Sequence, residues 1–367
     1  MNTPAIPRLT LESVRIRGVV VPLRRPIVAK VGEFRQWPFI LIDVMTKEGV
    51  IGRSYLEPYV EKSVKYIAQA ITDLADALKG KPLAPLDAYR DNMRTMHLVG
   101  REGVSLIAIS GLDMAIWDAL AKAANVPLAV LLGATTGPVR AYNTNGLWLI
   151  PLDRVEKEAA ELVAQGNFKA IKIRLGREKL KDDLAVIAAV RRAVGEDVQL
   201  MCDFNQGLAF GEALLRLHAL DDQGLSWFEE PIVYDNLEGC AQIARKMKTP
   251  VQIGENIYGP REFLKAVNAR AADLYMPDLM RIGGVTGFMR SAAIAGAAGL
   301  PLSNHLYPMI STHLLRASET ADWLEWSDWA EPILANPLPV KDGFAMVPDV
   351  PGVGLEWNEE AVKRLAM

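Results

Sequence analysis

Three acidic residues close short apolar runs at an even interval. Asp203 ends VQLMCD, Glu229 ends LSWFE and Glu255 ends VQIGE, with 26 residues from each to the next. In a closed (β/α)8 barrel the carboxyl ends of successive strands meet on one face, so carboxylates repeated once per β/α unit converge. Three converging carboxylates carry a charge that is very costly to bury without a cation between them. An all-oxygen ligand set suits a hard ion such as Mg2+. Asp203, Glu229 and Glu255 are therefore the candidate metal ligands.

The neighbouring runs end in residues of complementary kind. In FKAIKIRL, strand alternation puts Lys172 and Arg174 on one side and Ile171, Ile173 and Leu175 on the other. Two cations facing an interior are costly unless an anion meets them. Asn205 follows Asp203 by two residues, and the later runs end in Asp278, His305 and Glu325. His305 comes about one β/α unit after Asp278, so a neighbouring carboxylate would orient the imidazole and raise its basicity. His97, His218 and His313 lie in helical patterns and read as structural or exposed. Lys172 also invites a Schiff-base reading, but three acidic strand ends beside it would keep the ammonium charged. IGGVTG at 282–287 lacks the Lys-Ser/Thr of a P-loop and reads as a tight turn.

The elements that must position these residues follow one another in regular order. From Val139 onward, strand-like runs alternate with helical patterns: VRAYNT, FKAIKIRL, VQLMCD, LSWFEE, VQIGEN, ADLYMPD, LPLSNH and ADWLE, the count for a closed parallel barrel. The first ~135 residues differ, as two-domain chains of this length lead one to expect. VRIRGVVVPL and FILIDVMT read as strands separated by the loop RRPIVAKVGEFRQWP. Helical periodicity then covers 60–89 and 103–124, the latter apolar on most faces and so expected between layers. The Pro- and Gly-rich tail from Trp326 must return to the first domain or to the barrel rim. A net charge of −3 makes no case for nucleic acid or an anionic membrane. The start shows no apolar leader region, and no run reads as a membrane span. Two cysteines, Cys202 and Cys240, are too few for a disulfide framework and fit a reduced, cytoplasmic setting.

The chain resembles the enolase superfamily, and within it the mandelate racemase subgroup. Lys172, Asp203, Glu229, Glu255, Asp278, His305 and Glu325 match in order, among the strings DFNQG, WFEEP, GEN, MPDLMRIGGVTG and DWLE. The resemblance extends to the IAISGLDMAIWDAL helix and to PGVGLEW near the end. It implies an α/β fold: a modified TIM barrel of (β/α)7β type over 138–326. An α+β capping domain with a specificity lid would occupy 1–137, and a segment over 327–367 would return to the cap. It also implies a small-molecule carboxylate substrate chelating Mg2+, whose α-proton is abstracted to give an enediolate; enolase-superfamily sites are a standard instance of such chemistry. Lys172 would stand beside the substrate carboxyl, Glu325 would donate a hydrogen bond to it if protonated, and His305, held by Asp278, would be the base. A homo-oligomer, dimer or octamer, is implied as well.

One position departs from the family's racemase pattern, in which strand two reads Lys-x-Lys and the second lysine is the opposing base. Here that residue is Arg174. A guanidinium stays protonated and is a poor base, though well suited to gripping a carboxylate or hydroxyls. Racemisation needs an acid/base group on each face of the carbanion, whereas β-elimination needs one base and one acid, and His305 serves as both. The expectation is a dehydratase of a sugar acid or related hydroxy acid. A racemase or epimerase of a mandelate-like 2-hydroxy acid is the alternative, and a catalytically silent acid-binding barrel is the alternative from another class. The lid, residues 24–36, holds Arg24, Arg25, Lys30, Glu33 and Arg35 and favours a polar or acidic substrate. Trp148 and Tyr142 would provide an apolar wall for an aryl acid. Arg24, Lys30, Thr144 and Asn205 are the candidate substrate-binding residues.

Overall fold

The computed structural model describes residues 8–367. An antiparallel sheet opens the chain, with β1 (Leu11–Ala29), β2 (Gly32–Thr46) and β3 (Ile51–Leu56) in that spatial order. Three helices follow, of which α1 (Glu61–Leu78) and α3 (Val104–Ala123) cover the sheet and α2 (Pro85–Thr95) packs against α3. The periodic stretch 60–89 is two helices, broken where Gly80 takes a φ of +74° and Pro82 follows. α3 is long and apolar enough to cross a membrane, contrary to the reading that no run would be. It is instead buried on most faces between the cap sheet and the barrel. Its approach to the sheet is close: a Cβ at Gly52 would overlap the Ala115 carbonyl, and one at Gly111 would press on Leu56 and Ile42.

After the short α4 (Leu128–Leu131), parallel staves and helices alternate. They are β4 (Pro138–Asn143), α5 (Leu152–Ala164), β5 (Ala170–Arg174), α6 (Leu180–Val194), β6 (Gln199–Asp203), α7 (Phe210–Leu220), β7 (Leu225–Glu229) and α8 (Leu237–Ala244). The series continues with β8 (Val251–Ile253), α9 (Gly259–Asn268), β9 (Leu274–Tyr275), α10 (Leu279–Ile282), α11 (Gly284–Ala297), α12 (Pro308–Arg316) and β10 (Leu324–Trp326). The staves pair in chain order, and β10 closes the ring on β4. The sixth stave is two residues long, and the seventh is reduced to bridges, from Leu302 to Tyr275 and Ala321 and from His305 to Asp278. Pro277 and Pro301 flank this stretch, and a proline has no N–H to give a ladder. Tyr142, Ala170, Met201, Trp227 and Trp323 fill the barrel interior, separate from the main core between staves and helices.

The tail does both things expected of it. β11 (Val340–Lys341) and β12 (Phe344–Met346) form a hairpin whose second strand pairs antiparallel with the start of β4. α13 (Glu359–Arg364) then returns to the cap: Val20 N–H donates to Leu365 O at 3.0 Å, and Trp357 Nε1 donates to Asp43 Oδ1 at 2.6 Å.

RRPIVAKVGEFRQWP is not a loop. It continues the β1–β2 hairpin, with Ile27, Val28 and Ala29 opposite Phe34, Glu33 and Gly32. A bulge between Pro22 and Ile27 shifts the register on the way. The hairpin tip is thus a rigid arm reaching over the barrel mouth, tied there by Leu149 N–H donating to Val28 O at 2.8 Å.

Candidate active site

Asp203, Glu229 and Glu255 end the third, fourth and fifth staves, and one carboxylate oxygen from each lies within 4.8 Å of the others. Each is oriented from behind. Asn205 donates to both oxygens of Asp203 (2.7 and 2.8 Å), Trp227 Nε1 donates to Glu229 Oε2 (3.0 Å) and Asn256 donates to Glu255 Oε1 (3.0 Å). Burial, with repulsion between the carboxylates, pushes Glu229 up to about 8 and raises Asp203 as well, against the pull of Lys172. Such a cluster is what a hard divalent cation relieves, so these residues fit Mg2+.

Lys172 is fully enclosed between anions. Its ammonium lies 2.7 Å from Glu229 Oε1, 2.7 Å from Glu325 Oε1 and 3.9 Å from Asp203 Oδ2. Burial opposes its charge, but Glu229, Glu325 and Asp203 outweigh burial and raise its pKa. It remains an ammonium, which removes the Schiff-base reading. Glu325 departs from expectation. Burial favours its neutral form, yet Lys172 and His305, with Leu306 N–H donating at 3.0 Å, hold it down at about 2. In this arrangement it is an ionised acceptor and not an acid donor.

His305 Nδ1 stands 2.7 Å from Asp278 Oδ2, on the adjacent stave, and its Nε2 is 3.3 Å from Glu255 Oε2 and 4.0 Å from Glu325 Oε2. Burial opposes protonation, but Glu255, Glu325 and Asp278 raise the imidazole to about 10. A cation among the carboxylates would cancel much of that field and free Nε2 to accept a proton. Asp278 also caps α10 through Oδ1, which accepts from Met280 and Arg281 N–H. The other histidines are elsewhere: His97 and His218 are exposed, and His313 is buried beside α4, its pKa lowered to about 4 by burial. IGGVTG is not a separate turn: only Gly283 stands between α10 and α11, and the first turn of α11 donates to the Asp113 carboxyl of α3 through Thr286 N–H and Oγ1.

Arg174 faces the site beside Lys172, as strand alternation requires. Its guanidinium is already engaged: Nη1 donates to Thr144 O (3.0 Å) and Gly146 O (3.2 Å), and Nη2 donates to Thr144 Oγ1 (2.7 Å). It lies 3.7 Å over the Trp148 ring. Only Nε, 3.8 Å from Asp203, has no partner. Arg174 is thus less free to grip a substrate than its type suggests. Thr144 is a support for Arg174 and lines no part of the cavity.

The cavity between cap and barrel measures about 200 Å3. Lys172, Arg174, Asp203, Asn205, Glu255 and His305 form its floor, and Ile27, Ala29, Val31, Phe34, Trp37, Tyr59, Trp148 and Trp329 form its walls. The lid therefore turns an apolar face inward. Arg24 is a correction: it sits in the bulge and reaches Asp328 (3.4 Å) and Glu331 (4.0 Å) of the tail. Lys30 is a second one, since its stem rests on Gly176 and Gly207 outside the cavity. Tyr142 lies in the barrel interior beneath Lys172 and not on the wall. Arg281 was overlooked in the sequence. It lines the cavity, donates to Glu255 O (2.9 Å) and Tyr59 Oη (3.2 Å), and its only signal was a cation three residues after Asp278.

Two family models match the chain. One, described as enolase C-terminal domain-like, covers residues 154–361; the other, the mandelate racemase / muconate lactonizing enzyme N-terminal domain, covers 12–133. The L-talarate/galactarate dehydratase of Salmonella typhimurium is 32% identical over 361 residues, 96% of this chain and 90% of that protein. A solved enolase from alpha proteobacterium bal199 with bound magnesium is 52% identical, with a TM-score of 0.96 over 98% of this chain and 100% of its own. An enolase from Bradyrhizobium, complexed with magnesium and mandelic acid, is 38% identical, with a TM-score of 0.94 over 99% of this chain and 100% of its own.

Proposed function

Because this chain belongs to the mandelate racemase / muconate lactonizing enzyme family of the enolase superfamily, we propose that it removes the α-proton of a 2-hydroxycarboxylate with Mg2+ and then expels a β-hydroxyl, on a substrate whose tail is apolar. Asp203, Glu229 and Glu255 would hold Mg2+, which when bound would supply a Lewis acid for the charge that develops on the substrate carboxylate. Lys172 adds a fixed positive charge beside that carboxylate. His305 takes the α-proton at Nε2, while Asp278 holds the ring from Nδ1. The imidazolium then returns that proton to the departing β-hydroxide, so one water is lost and the enol collapses to a 2-keto acid. A single group thereby serves as base and acid on one face.

The observation that carries this reading is the pairing of one Asp-oriented imidazole with a guanidinium whose terminal nitrogens are bonded to Thr144 and Gly146. The apolar walls support the tail: a dry cavity of about 150 Å3 already accommodates benzene. The dehydratase activity of the Salmonella relative supports the elimination. A second reading, inversion at the α-carbon of an aryl 2-hydroxy acid, draws on the same walls and on the mandelic acid bound by the Bradyrhizobium neighbour. Incubation with Mg2+ in D2O separates the two, using aryl and alkyl 2,3-dihydroxy acids, sugar acids and mandelate. A 2-keto acid product carrying deuterium at C3 supports elimination, and α-deuteration with inversion supports the second reading. No exchange with any acid would leave an acid-binding barrel. We also propose a homo-oligomer, supported by the exposed Leu86, Leu98, Val99 and Val104 beside α2; light scattering checks it.

A further inference from the structure

Just after β3, at the seam between cap and barrel, Glu57 is buried to 2% exposure with no cation paired to it among the described residues. Its Oε2 accepts from Trp37 Nε1 at 2.8 Å, and its backbone N–H donates to Tyr307 Oη at 3.0 Å. Trp37 lines the cavity, but Glu57 does not reach it. The Trp37 indole stands edge-on to Phe34, Tyr59 and Trp329, with ring centres 5.7, 5.0 and 5.0 Å away. It is the keystone of the aromatic wall, and Glu57 accepts its one polar hydrogen.

The groups that face Glu57 come from every element around it. Trp37 is on β2 and Tyr55 on β3; Tyr307 precedes α12; Asp278, His305 and Glu325 stand across the seam at the stave ends. Two of these are carboxylates, and the only base among them, His305, is already paired with Asp278. We propose that Glu57 is a positioning residue that works as an uncharged acid, fixing the Trp37 indole as the cap's wall over the substrate tail and adding no charge behind His305 and Asp278. A buried carboxylate without a cation takes up a proton in preference to staying ionised. Burial, with Asp278 and Glu325 adding repulsion against the help of Trp37 and His305, pushes this carboxyl up to about 8. A carboxyl raised in the fold above its ordinary 4.5 stabilises the fold fully below that value, and this stability is lost as pH rises toward 8.

The test has one arm independent of any substrate. Wild type, Glu57→Gln and Glu57→Ala are melted between pH 4.5 and 9, and mandelate binding with Mg2+ is measured at pH 7 by calorimetry. Glutamine is neutral throughout and still accepts from Trp37. Its Tm relative to wild type is expected to climb with pH and to level off beyond about pH 8, with mandelate affinity unchanged. Alanine leaves the Trp37 N–H without a partner, and binding is expected to weaken by about tenfold or more. A Tm difference between Glu57→Gln and wild type that is flat in pH overturns the proposal, as does a Gln variant that binds as weakly as the Ala variant. The binding arm rests on the apolar-tail reading above. If wild type itself does not bind mandelate, that reading fails alone and the melting series decides. The same series decides if the Ala variant does not fold.

Discussion

Asp278→Asn separates the orientation of His305 from everything else that Asp278 does. The carboxylate divides its oxygens: Oδ2 meets His305 Nδ1 at 2.7 Å, while Oδ1 accepts from Met280 N–H (2.8 Å) and Arg281 N–H (3.1 Å) at the start of α10. An asparagine with its carbonyl at the Oδ1 position keeps the cap and turns an NH2 toward His305. The neutral imidazole must then accept at Nδ1, which moves its single proton to Nε2, the nitrogen that faces the cavity. A base whose lone pair lies on the wrong nitrogen cannot take the α-proton. General-base catalysis contributes about 10^2–10^4-fold, so the barrier should rise by about 3–5 kcal/mol. Folding should change little, whereas Asp278→Ala also loses the cap, at about 0.5–2 kcal/mol. The assay is α-hydrogen exchange of mandelate and the dihydroxy acid panel in D2O with Mg2+, followed by proton NMR, alongside thermal melts. Exchange by the Asn variant at nearly the wild-type rate would refute the reasoning, because His305 would then not depend on Asp278 for its basic nitrogen.

Arg174→Lys removes the donors to Thr144 and Gly146 and leaves buried acceptors unpaired, a loss of about 1–3 kcal/mol. It also places a titratable amine in the site, so polarimetry on enantiopure mandelate should reveal inversion; unchanged rotation counts against lack of a second base as the block. Asp113 of α3 accepts from Thr286 N–H (2.8 Å) and Oγ1 (2.6 Å), and burial pushes its carboxyl up to about 7. Its contribution to stability is therefore present at low pH and lost as pH rises from 3.8 toward 7. Asp113→Asn should gain in urea midpoint relative to wild type between pH 5 and 8, and a constant gap would contradict this. Gly207→Ala puts a methyl against the Lys30 stem and within 2.8 Å of Phe204 O, which cannot move aside. The lid tip should lose its seat, weakening binding of the organic acid while leaving Mg2+ affinity intact; calorimetry with each ligand separately distinguishes the two.

The barrel, its metal carboxylates and the His305–Asp278 pair were legible in the linear chain, because each depends on a local rule. A strand alternates with period two, so Lys172 and Arg174 share a side whatever surrounds them, and one β/α unit per strand end brings Asp203, Glu229 and Glu255 to one face. The lid was misread for the same reason that these succeeded. The bulge between Pro22 and Ile27 changes the register by an odd number of residues, and an odd slip exchanges the two faces of a hairpin. Residue types alone could not show that Ile27, Ala29 and Val31 look inward while Arg24 and Lys30 are spent on the tail and on Gly207. The charge states of Glu325 and Glu57 lay beyond the sequence too. Burial pushes both carboxyls up; the fold brings the Lys172 ammonium against Glu325 and holds it at about 2, whereas no cation is paired with Glu57 among the described residues and burial leaves it at about 8. Electrostatic energy depends on distance through space, and only the closed barrel with its cap in place sets those distances.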